Sequence, residues 1–144
     1  MRRLLGTYAN LREKMERAEP DDIQKAALAA FLHSFYNGVE NISKRVAIHL
    51  DGGPPRGETW HSMLLERMAG PGTTRPAVIT EPMRDRLRKY MDFRHFFRHA
   101  YTFELKWNRM APLVLAAEET LKRLEAELAV FLSAIEPKAE TEGS

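Results

Sequence analysis

A chain of 144 residues lies near the commonest single-domain size, and its 44% apolar and 29% charged residues, with a net charge of only +2, exclude a disordered polyelectrolyte. No stretch approaches the roughly 18 consecutive apolar residues of a spanning helix, and Met1-Arg2-Arg3 leads into an apolar run too short for a signal-peptide core, so a cytoplasmic protein without a membrane partner is expected. The absence of cysteine removes disulfide scaffolds, thiolate zinc sites and cysteine nucleophiles together, and leaves any chemistry to oxygen and nitrogen groups.

In chain order, Leu4, Leu5, Tyr8, Leu11 and Met15 recur at helical spacing and predict an amphipathic helix over residues 4–17 that ends before Pro20. Asp21-Asp22 then supply acidic N-terminal caps for a long helix over about 21–50, whose apolar face is read from Phe31, Phe35, Val39, Ile42 and Val46. Two prolines and three glycines within residues 51–57 stop it in an exposed loop. A short helix from Trp60 to Met68 follows Thr59 as cap and ends at Gly70-Pro71-Gly72; residues 73–79 read as a linker.

Thr80-Glu81-Pro82 has the form of a helix start, with proline in the first turn where its missing amide costs little, and the periodicity continues through Leu87, Tyr90, Phe93 and Phe97 as far as Trp107. Pro112 is expected to open the last helix, with Leu113, Leu115, Ala117, Leu121, Leu124, Leu128, Phe131 and Leu132 as its face. The fold class is therefore all-α: a single-domain antiparallel bundle of four to five helices over residues 1–136, followed by a disordered tail over 137–144.

Charge is segregated along the chain. Between Arg84 and Arg109 eight Arg or Lys stand against three acids, whereas from Glu118 onward seven Glu stand against three basic residues. Such asymmetry fits either a polyanion-facing segment or a solvated helix face; Arg84, Arg86, Arg88 and Lys89 in particular either track phosphates or keep a surface soluble.

The densest chemistry lies in residues 91–105, where two arginines, two histidines and a tyrosine fall within Arg94–Tyr101. On a helix Arg94, Arg98 and Tyr101 share one stripe, while Arg94 and His99 stand about 140° apart around the axis. That separation favours a cleft closed by a second, two-fold-related copy of the helix. Histidine can exchange protons at neutral pH and arginine can hold phosphate bidentately, which together suit metal-free cleavage of RNA beside its 2′-hydroxyl.

The arrangement Arg94-x4-His99-x-Tyr101, within Phe93 to Leu105, resembles the RX4HXY signature of HepT toxins, a branch of the HEPN ribonucleases; Phe35-Tyr36-Asn37-Gly38-Val39-Glu40-Asn41-Ile42 resembles the same longer HepT-like proteins. The resemblance implies a homodimeric toxin of a toxin–antitoxin system, an endoribonuclease needing no cofactor and no metal. Arg94 and His99 would be its catalytic pair, with His95 in the supporting polar position. Arg98, Arg88 and Lys89 are the candidate RNA-binding cations. It further implies a cognate MntA-type nucleotidyltransferase antitoxin that transfers AMP to Tyr101.

His95 and His99 share the spacing of a zinc pair, but no adjacent glutamate of the H-E-x-x-H kind and no cysteine completes one. The aromatics Phe93, Phe96, Phe97, Phe103 and Trp107 are expected in the core rather than on a base-stacking surface. His33, His49 and His61 stand alone on their helices and are expected to be structural or surface residues. The principal rival function is a non-enzymatic helical adaptor or substrate-binding subunit for a nucleotidyltransferase; a helix-turn-helix regulator is disfavoured by the long Pro/Gly-rich connections.

Overall fold

The computed structural model describes residue 6, residues 19–99 and residues 105–136, with residue 99 in its backbone alone. Among these residues there are four α-helices and no strand: α1 (Asp22–Leu50), α2 (Trp60–Met68), α3 (Glu81–His99) and α4 (Trp107–Ile135). The helix expected over 4–17 and the tail beyond 136 lie outside the described residues.

Helix α1 begins where the sequence places it because Asp21 and Gln24 satisfy each other's free amides: Gln24 N donates to Asp21 Oδ1 at 2.8 Å and Asp21 N to Gln24 Oε1 at 3.0 Å. Its buried face is centred on Leu28, Leu32, Phe35, Tyr36, Val39, Ser43 and Ala47. Ile42, expected in that face, is 38% exposed, and Val46 packs only at its edge. The chain leaves α1 through Gly52 and Gly53, whose φ values of 80° and 126° are open to glycine at no steric cost, and the Gly53 amide reaches back to Ala47 O at 2.8 Å.

The loop over 51–57 is largely exposed, as expected, but its beginning is pinned. Arg75 is wholly buried and pairs bidentately with Asp51, Nε to Oδ1 and Nη2 to Oδ2 both at 2.8 Å, while its Nη1 donates to the Gly70 and Pro76 carbonyls. Arg67 Nη1 donates to Gly53 O at 2.9 Å. Residues 73–79, read as a linker, carry buried Val78 and Ile79, and both of their amides donate to Met68 O at the end of α2.

Helix α3 is capped by Thr80, whose hydroxyl accepts from Met83 N and donates to Glu127 of α4. It packs on α4 in antiparallel fashion, as Thr80 meets Glu127, Arg86 meets Thr120, and Tyr90 donates to Leu113 O at 2.7 Å. Contacts to α1 also run in opposite senses, Phe35 on Tyr90 and His33 on Phe97.

Two boundary expectations are corrected here. Leu105 and Lys106 are not helical, so α3 does not continue to Trp107, which instead opens α4. Pro112 therefore lies inside α4 rather than at its start, beyond the free first turn, where it forfeits the amide that would donate to the Asn108 carbonyl. Leu115 and Leu132, assigned to the core face, are 46% and 59% exposed; Met110 and Val114 take buried positions instead. Among the described residues no helix is long and apolar enough to cross a membrane.

Because Arg75 has no route to water, Asp51→Ala strands its charge, and the variant is expected to lose about 3–5 kcal/mol of stability. Urea unfolding monitored by circular dichroism checks this; a loss under 1 kcal/mol would show that the pair does not hold the two loops.

Candidate functional site

Met83, Leu87, Tyr90 and Arg94 succeed one another at intervals of three and four along α3, so Arg94 leaves the helix from the stripe that builds the core and is only 5% exposed. A guanidinium stays charged at every physiological pH, and such burial requires a partner. On α1 the corresponding stripe carries Glu40, also 5% exposed. Arg94 Nη1 donates to Glu40 Oε1 at 3.0 Å and Nη2 to Oε2 at 3.1 Å, a fork-to-fork pair, and Nη1 also donates to Asn37 Oδ1 at 2.8 Å. The guanidinium lies 5.0 Å from the Tyr36 ring centroid. Its Nε is buried and has no hydrogen-bond partner among the described residues.

A third helix enters through His61, the second residue of α2. Its Nδ1 lies 2.5 Å from Glu40 Oε2 and 3.0 Å from Arg94 Nη2. Arginine only donates, so Glu40 Oε2 is the common acceptor, which assigns the imidazole proton to Nδ1. Burial pushes the Glu40 carboxyl upward, but the hydrogen bonds from Arg94 and His61, reinforced by their charges, outweigh it and hold the group below its ordinary 4.5. Burial, then the neighbouring Glu40 carboxylate, push the Tyr36 hydroxyl far above its usual range. At His33 burial and the positive fields of Arg94 and Arg98 lower the imidazole below 6.5.

Beside this network lies an open cleft of about 410 Å³ between α3 and the start of α2. Glu58, Thr59, His61 and Ser62 form one wall; Arg94, His95 and Arg98, with Met91 and Asp92, form the other. Three residues singled out in the sequence thus meet in one cleft, Arg94 buried in its wall and His95 and Arg98 exposed. His99 is the last described residue of α3, and its side chain lies outside the described residues, as does Tyr101 entirely.

Arg88 and Lys89 do not line the cleft. Arg88 is half-buried and ion-paired with Glu66 of α2, whereas Lys89 is exposed. Arg84 likewise meets Glu66 and Asp85, and Arg86 approaches Glu119, so three of the four basic residues over 84–89 are matched by carboxylates. Phe93 is buried and Phe97 packs on the core, as expected of core aromatics. His61 and His33 do not stand alone: His61 meets Glu40 and Arg94, and His33 Nδ1 lies 3.3 Å from Asn37 Nδ2. Only His49 of those three is simply exposed.

Sequence reasoning missed Glu40, Asn37 and His61 as members of the site. The available signal was one acid and one base, each on the apolar stripe of a different helix, where solvation cannot satisfy either. Among the described residues no group of three or more His, Asp or Glu could hold a metal ion.

The fold and site together define an all-α bundle with a histidine- and arginine-lined cleft along the helix that carries Arg94 and His99. The family of HepT-like proteins matches residues 27–135, most of the chain, and the protein belongs to that family and through it to the HEPN superfamily. Membership points to a component of a HEPN-type toxin–antitoxin system. Comparison with curated proteins and with solved structures gave no match.

Arg94→Met leaves Glu40 buried without its cation and is expected to cost about 3–5 kcal/mol; adding Glu40→Leu should recover much of that loss. Glu40 has a folded pKa below its unfolded one, so the stability it contributes is present above about pH 4.5 and disappears as pH falls through the lower folded value. Melting temperatures recorded across pH 3–6 should therefore fall more steeply for the native sequence than for Glu40→Gln. Parallel curves would show that the carboxylate is not held by its neighbours.

Proposed function

We propose that this protein is the toxin of a toxin–antitoxin pair, a metal-independent endoribonuclease that acts as a homodimer in the cytoplasm. The observation that carries the reading is that a HepT-like chain retains Arg94-x4-His99-x-Tyr101 whole, with the Arg94–Arg98 turn lying along an open cleft. HEPN members are usually ribonucleases. In this reading RNA lies in the cleft with a phosphate near Arg98 and the motif histidine exchanges a proton with the reacting oxygens. The cation supplies charge and orientation, and the imidazole supplies general acid–base chemistry.

Control falls to an MntA-type nucleotidyltransferase that adenylylates Tyr101. An adenylate there brings negative charge to the segment bearing Arg94 and Arg98 and opposes the binding of a polyanion. A second reading, a non-enzymatic helical adaptor for a nucleotidyltransferase, draws support from one observation: both η nitrogens of Arg94 are already committed to Glu40 and Asn37.

Purified protein is expected to cleave RNA in EDTA, and His99→Ala to abolish the cleavage without lowering the melting temperature. Incubation with the partner and ATP should add adenylate mass to the native chain and none to Tyr101→Phe. Tight partner binding with no cleavage by the native protein would favour the adaptor.

A further inference from the structure

We propose that His61 is a proton-transferring residue of the cleft, acting as the general base that takes the 2′-hydroxyl proton, with Glu40 as the residue that positions it; this deepens the ribonuclease reading and rests on it. His61 enters from α2, a helix outside the Arg94–Tyr101 motif. Its side chain is about one-third exposed and lines the same cleft as Arg94, His95 and Arg98.

The ring is held from both sides. Nδ1 points inward at 2.5 Å from Glu40 Oε2, and the ring lies against Trp60, centroids 3.7 Å apart and planes tilted by 31°, with Lys44 in turn 4.7 Å from the centre of the Trp60 ring. A carboxylate on Nδ1 fixes the tautomer, so Nε2 is the nitrogen left with a lone pair for the cleft, and it has no hydrogen-bond partner among the described residues. The same carboxylate stabilises the imidazolium that forms once Nε2 takes a proton, the role a buried acid plays behind a catalytic histidine.

The step balances with groups already present. Nε2 removes the proton from the ribose 2′-hydroxyl, the O2′–P bond forms and the P–O5′ bond breaks. A second acid, the role the motif leaves to His99, gives its proton to O5′. A 2′,3′-cyclic phosphate and a 5′-hydroxyl result, without an oxidant, a reductant or a water molecule. The charged or titratable groups around His61 are Glu40 from α1, Glu58 from the loop before α2, and Asp92, Arg94, His95 and Arg98 from α3. Glu40 and Arg94 touch the ring directly.

The test is the pH dependence of kcat/KM for RNA cleavage by the full-length protein, His61→Gln and His61→Ala, with melting temperatures alongside. Expected is a loss on the order of 10²- to 10⁴-fold in kcat for His61→Gln, disappearance of the acid limb of its pH profile, and partial recovery of His61→Ala by added imidazole. A native protein that cleaves while His61→Gln retains its rate and profile overturns this assignment alone. A native protein that cleaves no RNA overturns the ribonuclease reading and this proposal with it. Should neither variant fold, the His61 pKa measured by NMR in the native protein must coincide with the acid limb of its own kcat/KM profile, and a mismatch overturns the proposal.

Discussion

The buried pair of Arg94 and Glu40 is the constraint around which the remaining site is arranged. Each ion stands on the apolar stripe of a different helix and neither has water to fall back on, so α3 can pack on α1 only in the register that brings the guanidinium fork onto the carboxylate. His61 adds α2 to the same acceptor. A pair of this kind adds little net stability, because desolvation offsets most of the attraction, yet leaving one member alone is costly. Its contribution is geometric: three helices are indexed to one carboxylate at the wall of the cleft.

That geometry changes how the basic stretch is read. Eight basic residues against three acids between Arg84 and Arg109 suggest a bare polyanion-binding face. Folding instead matches Arg84 and Arg88 with Glu66, brings Arg86 toward Glu119 and buries Arg94 on Glu40. The cleft itself presents Glu58 and Asp92 beside Arg98. A surface of mixed sign offers weaker long-range attraction to nucleic acid than a uniformly basic one, and discrimination then depends on where individual donors and proton carriers sit.

What could be read from the sequence was mostly local. The N-cap of α1, the end of α2 and the start of α3 follow from Asp21, Thr80 and the surrounding glycines and prolines, and α2 begins after Thr59 as expected although the Thr59 side chain makes no cap hydrogen bond; these boundaries lie within a residue or so of those observed. What could not be read was non-local. Ile42 looked as apolar as Leu28, but only packing decides which stripe faces α3; Pro112 looked like a helix start, whereas the helix begins at Trp107 with the Lys106 carbonyl accepting from Met110 N. Arg75 staples a loop 24 residues away and Arg94 meets an acid 54 residues away, separations at which no periodicity carries information. A charged residue on an apolar stripe was the one clue available, and it identifies a need for a partner without identifying the partner.

The angular argument for a second protomer also changes once the cleft is seen. From sequence, about 140° between Arg94 and His99 favoured a site shared by two chains, since side chains so far apart do not converge on a flat face. The cleft is not flat with respect to α3. Arg94 and Asp92, about 160° apart by the same helical geometry, both line it. The described stretch of α3 from Met91 to Arg98 therefore presents a curved wall rather than a flat face, and His61 faces it from the opposite wall. An angle between two positions on one helix therefore does not by itself decide whether a second copy closes the cleft, and the expectation of a homodimer rests on the resemblance of Arg94-x4-His99-x-Tyr101 to the HepT signature.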